Sequence, residues 1–180
     1  IQSQKKNKKK YFINLGCGEG YHAICLMKKK VFQRFIGFEA SDVAQSFLKK
    51  NLSINKMGQK AIIFKKANSN FLNNKVFEKY KLKDSFFLID IEGAEFQILN
   101  PINIKKLRKS KLIIEIHDFY KNPKNLIRNL KTFFRLKTIS TENRNIDEFK
   151  ILEHMHDNEK WLLMSEGRPK KMEWIFCEPK

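Results

Sequence analysis

Short apolar runs alternate along this chain with amphipathic stretches. The runs predict strands over 11–15, 34–39, 60–66, 85–91, 111–117, 135–140 and 173–178. The stretches between them predict helices over 19–30, 41–55, 94–100 and 122–134. Ser41 or Asp42 is placed to cap the second helix, and Asn122 followed by Pro123 sets proline in the first turn of the last. This β-α-β-α rhythm predicts a parallel, doubly wound sheet. The runs FFLIDI (86–91) and KLIIEI (111–116) are nearly continuous, as in strands covered by helices on both faces. The end of the chain differs. Strands 135–140 and 173–178 flank a segment without a crossover pattern, in which Asp157 is placed to cap a short helix, 158–166, stopping at Gly167 and Pro169. A terminal antiparallel pair on a parallel sheet fits this arrangement.

Length fits one domain, 11–180, behind a basic, mobile arm at 1–10. No apolar run is long enough to cross a bilayer, and the basic start has no apolar stretch behind it to form a secretory signal. The first residue is Ile1, so an upstream segment is expected beyond what can be read. Lys and Arg total 37 against 19 Asp and Glu, a formal charge of +18. That excess suits a polyanion such as nucleic acid or an anionic membrane surface. The competing explanation is codon bias, since Lys, Asn, Ile and Phe are all heavily used and lysine far outnumbers arginine. Cys17, Cys25 and Cys177 have neither disulfide nor zinc spacing, which fits a reducing cytoplasm.

Two segments carry chemistry. Residues 11–22, YFINLGCGEGYH, run a strand into Gly16, Gly18 and Gly20 ahead of a helix. Glycines let the backbone approach a ligand closely, and the helix start offers free N–H groups. A dinucleotide fingerprint would need a third glycine where Tyr21 stands, so a nicotinamide cofactor is disfavoured. Glu39 ends the second strand, where an acidic group takes two ribose hydroxyls; alternatively it caps the next helix. Asn68 and Ser69 follow the third strand, near the expected adenine edge, or are simple turn residues. The second segment, FFLIDIEGAEFQIL (86–99), drops from an apolar run into Asp90, Glu92 and Glu95, with Gly93 between the glutamates. Buried strands ending in carboxylates deliver charge to the sheet edge where ligands sit.

With these pieces in place the chain resembles the class I S-adenosylmethionine-dependent methyltransferases, and within them the FkbM-type family. The matching segments are NLGCGEGYHA (14–23), GFEAS (37–41), LIDIEGAEFQIL (88–99), LIIEIHD (112–118) and SEGRPKKMEWIF (165–176). The resemblance implies a Rossmann-like, mostly parallel seven-stranded sheet with an antiparallel last strand and helices on both faces. It implies S-adenosyl-L-methionine held by Asn14, Gly16, Cys17, Gly18, Gly20, Glu39, Ala40, Asn68 and Asp90. It also implies methyl transfer to a hydroxyl of a sugar or other small metabolite. Asn14 stands where such enzymes usually carry an acidic residue, and no acidic group lies near Asn68 for the adenine. An amide and backbone groups can supply those hydrogen bonds.

At the reacting end, Asp90 and Glu92 follow one strand, while Glu115 and His117 close the next. Neighbouring strands would bring all four to one rim, with His117 titrating in the right range for a base. Asp90, Glu115 and His117 would also suit a divalent cation, which is not favoured, so no metal is assigned. Structural alternatives are a helix-capping Asp90, a buried ion-paired Glu115 and a strand-end His117. His154 and His156 form a His-x-His motif with no evident third ligand. Tyr21, His22 and Arg168 are further candidates for cofactor or substrate contact. DIEG replaces the Asn/Asp-Pro-Pro-aromatic segment of base N-methylating enzymes, which argues against that chemistry but not against ribose methylation. A non-catalytic binding module is the third possibility.

Overall fold

The computed structural model describes residues 9–140, 145–165 and 172–180. Among the described residues seven strands form a single sheet: β1 Tyr11–Leu15, β2 Arg34–Phe38, β3 Ala61–Phe64, β4 Ser85–Ile89, β5 Lys111–Ile116, β6 Phe134–Ser140 and β7 Glu173–Pro179. Their order is β3-β2-β1-β4-β5-β7-β6. β1 to β5 pair in parallel, and β7 inserts between β5 and β6, antiparallel to both. The expected doubly wound sheet with a reversed last strand is present. The chain first winds from β1 outward through β2 to β3, then returns to the other side of β1 as β4. The carboxyl ends of β1 and β4 therefore flank a switch point, where a crevice opens in sheets of this kind.

Two apolar layers sandwich the sheet, because alternate strand residues face opposite sides. Ile13, Ile36, Phe87, Ile89 and Ile114 pack against the helices α5 (Pro101–Leu107) and α6 (Lys124–Phe133) through Ile104, Leu107, Leu126 and Leu130. Phe12, Phe35 and Leu88 face the other way, against α1 (Tyr21–Lys28) and α2 (Asp42–Ile54) through Ala23, Met27, Leu48 and Leu52. Among the described residues no helix is long and apolar enough to cross a membrane.

Several expectations change in detail. Ser41, not Asp42, caps α2, its Oγ accepting from the Ala44 N–H at 3.2 Å. The helix expected over 94–100 is a single turn, α4 (Glu95–Ile98), and a second helix that the sequence reading did not assign, α5, follows it at Pro101–Leu107. Asn100 separates them: its side chain accepts from the Asn103 N–H at 3.0 Å, and Pro101 opens the new helix. Pro123 sits at the N-cap of α6, not inside it. Residues 70–84, given no element from the sequence, hold 3-10 turns at Phe71–Asn73 and Leu82–Asp84 and the short helix α3 (Val76–Lys79). The last helix, α7, spans Asp157–Ser165, so Asp157 lies inside it; His156 precedes it, and its N–H donates to Glu159 Oε2 at 3.1 Å. Gly167, Arg168 and Pro169, like residues 1–8 of the basic arm, lie outside the described residues. Lys9 is tied down, its ammonium donating to the carbonyls of Lys83 (2.6 Å) and Lys109 (2.8 Å).

Candidate active site

The glycine turn closes against the loop after β4. Gly16 takes φ +76°, and a Cβ there would lie 1.7 Å from the Asp90 carbonyl oxygen, so only glycine lets β1 and β4 approach this closely. Its N–H donates to the Phe38 carbonyl at 2.8 Å. Glu39, one residue past β2, ties the turn from the other side. Its Oε2 accepts from the Gly18 N–H at 2.7 Å and its Oε1 from the Ser41 N–H at 2.9 Å. Between these segments lies a cavity of ≈ 460 Å³. Gly16, Gly18, Glu39 and Ala40 form one wall, Asp90, Ile91, Glu92 and Ala94 another, and Phe38, Lys66, Ala67 and Ile98 complete it.

The loop after β4 makes an unusual turn. Glu92 and Gly93 are both left-handed, at φ +50° and +94°. Holding the non-glycine Glu92 there costs roughly 1–2 kcal/mol. Gly93 is held against the Tyr120 ring, 2.5 Å from where a Cβ would stand. The turn lays Glu92 beside His117, the residue after β5: Glu92 Oε2 is 3.3 Å from His117 Nε2. The parallel register of β4 and β5 sets Ile89 opposite Ile114, which brings Asp90 beside Glu115. Asp90 Oδ1 lies 3.7 Å and Glu115 Oε2 3.9 Å from the same His117 nitrogen. Behind the ring, fully buried Glu95 accepts from His117 Nδ1 at 3.1 Å and from the His117 backbone N–H at 2.9 Å.

These contacts set the electrostatics. Burial, then the neighbouring Glu115 carboxyl, pushes Asp90 up to about 7. Burial alone would raise Glu95, but the hydrogen bonds from His117 outweigh it and hold Glu95 below its ordinary value. Burial alone would lower His117, but the hydrogen bond and charge of Glu95, with Glu92 and Glu115, hold it above its usual value. The result is a cluster of one imidazole and three carboxylates, mutually perturbed in their proton affinities, at the edge of the cavity.

The sequence pattern of the Methyltransferase FkbM domain matches residues 3–149. The chain belongs to this family. No curated protein matches the sequence significantly. Among solved structures, the FkbM domain superposes on Streptococcus pneumoniae Sp1610 in complex with S-adenosyl-L-methionine at a TM-score of 0.60 and 15% identity, covering 99% of this chain and 71% of that one. In another Sp1610 structure it spans only 64% of the neighbour's length. It also resembles the methyltransferase domain of bacterial CtHen1-C, at a TM-score of 0.58 and 15% identity, covering 99% and 94% of the two chains. The B. subtilis M1A22 tRNA methyltransferase TrmK is a third neighbour, at 0.60 and 12%, covering 99% and 64%. At these identities the likeness concerns the fold.

Within the FkbM domain, the predicted residues divide by position. Gly16, Gly18, Glu39, Ala40, Asp90 and Glu92 line the cavity. Glu115 and His117 stand behind Asp90, so all four candidate catalytic residues come together. Asn14 is buried, its amide donating to the carbonyls of Gly16 (3.2 Å) and Leu15 (3.3 Å); the side chain braces the turn. Cys17 is packed in the core with its thiol toward the Phe38 carbonyl. Gly20 is needed for packing, since a Cβ there would meet Leu48. Asn68 lines an adjoining groove, and its side chain accepts from the Asn70 N–H in its own loop. Tyr21 and His22 line a separate apolar groove.

Glu95 and Lys66 carry no site role in the sequence reading. The carboxylate series of the 86–99 segment contains Glu95, but its burial behind His117 requires the one-turn helix α4. Lys66 has no distinguishing signal among so many lysines.

Proposed function

We propose that this FkbM domain methylates a hydroxyl group of a sugar-like small metabolite, using S-adenosylmethionine. The observation that carries the reading is the convergence of Glu115 and His117 on Asp90 and Glu92, the two carboxylates that line the glycine-bounded cavity. The cavity residues fit the cofactor: Glu39 has oxygens for ribose hydroxyls, the turn at Gly16 and Gly18 admits close backbone approach, and Asp90 suits an amino group. Bound there, S-adenosylmethionine supplies an electrophilic methyl on a sulfonium sulfur.

A hydroxyl is a weak nucleophile until its proton leaves, and a positioned base is worth roughly 10²–10⁴-fold. The His117–Asp90–Glu115 cluster receives that proton as a coupled unit. Holding the acceptor oxygen in line contributes about 7–11 kcal/mol more. The carboxylates around His117 repel phosphate, so a neutral polyol suits the reacting edge better than a nucleic-acid backbone. The three unpaired cysteines fit a cytoplasmic setting.

The second reading, methylation of an RNA ribose, draws on the +18 charge and on RNA methyltransferases among the fold neighbours. Calorimetric titration of S-adenosylmethionine into wild type and Glu39→Ala comes first. Binding that the substitution weakens supports the proposal; no binding defeats it and leaves a scaffold role. Labelled methyl transfer to sugar panels and to RNA then separates the two acceptors, since RNA binding would fall steeply with salt.

A further inference from the structure

We infer that Asp90, Glu115 and His117 form a divalent-cation site with Glu92 at its open side, suited to an oxygen-preferring metal such as Mn²⁺. The three donor atoms lie within 4.8 Å of one another. The distances from His117 Nε2 to the Asp90, Glu115 and Glu92 oxygens are 3.7, 3.9 and 3.3 Å. Adjacent donors around a six-coordinate ion lie about 3 Å apart at metal–oxygen distances near 2.1 Å. Small side-chain shifts therefore close the shell.

The independent pointer is the imidazole. His117 is 1% exposed, yet its Nε2 has no hydrogen-bond partner among the described residues, and neither has Asp90 Oδ1. Glu95 occupies Nδ1, so the ring turns its other nitrogen toward carboxylates, acceptors facing acceptors. Such an arrangement is unfavourable unless a proton or a cation sits between them. A divalent ion satisfies Nε2 and the carboxylates together. The Glu95–His117 bond then acts as the carboxylate–histidine support that orients metal-ligating imidazoles. One imidazole with two or three carboxylates favours manganese-type ions over thiolate-preferring ones. The site stands apart from the methyl-transfer reading; only its use rests on that reading, where a bound ion would take the place of the proton-accepting cluster: it would hold the acceptor hydroxyl and lower its pKa, and the proton would leave to solvent past exposed Glu92.

The test is titration of Mn²⁺ into chelator-treated protein, followed by calorimetry and by the loss of the free-ion EPR signal. One ion per chain is expected, with nitrogen modulation in the pulsed EPR spectrum of the loaded protein. Glu115→Gln and Asp90→Asn should each weaken binding by about tenfold or more, while a His154→Ala/His156→Ala variant binds normally. If Glu115→Gln does not fold, Asp90→Asn and the wild-type nitrogen signal still decide. No binding at millimolar Mn²⁺, or binding lost with His154 and His156 but kept in Asp90→Asn, overturns the site. Titrating S-adenosylmethionine into the same samples separates the two ideas. Cofactor binding without Mn²⁺ binding removes only the cation site, and the converse removes only the methyl-transfer reading.

Discussion

Glu95 accepts two hydrogen bonds from His117 through one oxygen, from the backbone N–H at 2.9 Å and from ring Nδ1 at 3.1 Å. Its other oxygen accepts from the Gly93 N–H at 2.9 Å. One buried carboxylate thus joins the strained turn after β4 to the end of β5. It also assigns the Nδ1 proton and turns Nε2 toward Asp90 and Glu92. In Glu95→Gln the amide NH₂ must face an N–H donor. The expected result is a turnover number lower by about 10–100-fold and stability lower by about 1–3 kcal/mol, with S-adenosylmethionine affinity little changed. Unaltered turnover in a folded Glu95→Gln protein would remove Glu95 from the site.

The same cluster predicts an acid-side stability preference in chelator-treated protein. Asp90, pushed up to about 7, and His117, held above its usual value, both bind a proton more tightly folded than unfolded. Each contribution is complete below the unfolded pKa, about 4 for Asp and about 6.5 for His, and is lost as pH rises through the folded value. Glu95 is shifted down, so its contribution disappears only in acid and stays constant across this window. The melting temperature should therefore fall between about pH 5 and about pH 8, and Asp90→Asn should flatten the slope. A melting temperature that climbs over that interval contradicts the placement of both groups.

Much of this architecture was legible because buried strands cannot hide their composition. Phe87, Leu88 and Ile89 had to be covered on both faces, and the carboxylates after them had to emerge at an edge. That argument located Asp90 and Glu92, and its counterpart on β5 located Glu115 and His117. It failed where side chains act on their own backbone. Asn100 ends one helical turn and starts another through a local cap, which apolar periodicity does not register. Asn14 was placed at the cofactor by the family resemblance alone; in central β1 its amide is buried and bonds to main-chain carbonyls. Asn68 lines the groove that adjoins the main cavity across Phe38 and Lys66. Glu95 was visible as a carboxylate, but its role as the support of His117 depends on a tertiary contact 22 residues away in sequence.

The glycines of the turn should differ sharply on substitution. Gly16→Ala sets a methyl into the Asp90 carbonyl, and backbone cannot move aside without separating β1 from β4. Loss of soluble protein or a collapse in melting temperature is expected. At Gly18 nothing lies within 4 Å of a Cβ, so Gly18→Ala carries only the left-handed penalty of about 1–2 kcal/mol. That variant should fold and lose cofactor affinity, because the methyl projects at the cavity wall. Circular dichroism with calorimetry distinguishes the two, and equal stability of both variants would contradict the tight β1–β4 closure.

Thiol chemistry provides an independent probe of the same turn. Cys17 and Cys177 are buried, and burial pushes each thiol up to about 12, with the Glu39 charge adding to the shift at Cys17. The thiolate is the reacting species, so at pH 8 both are almost entirely in the unreactive form. Cys25 is exposed on α1. Native protein should therefore consume about one equivalent of a thiol-exchange reagent, abolished by Cys25→Ser, and denatured protein about three. The rate at Cys17 then reports how often the glycine turn opens, since its Sγ contacts the Phe38 carbonyl beneath the Glu39 bridge. Saturating S-adenosylmethionine should slow any residual reaction at Cys17, because a ligand seated on Gly16, Gly18 and Glu39 closes that route. A second thiol reacting as fast as Cys25 in native protein would show the turn open in solution, and the cavity it borders would then not be preformed.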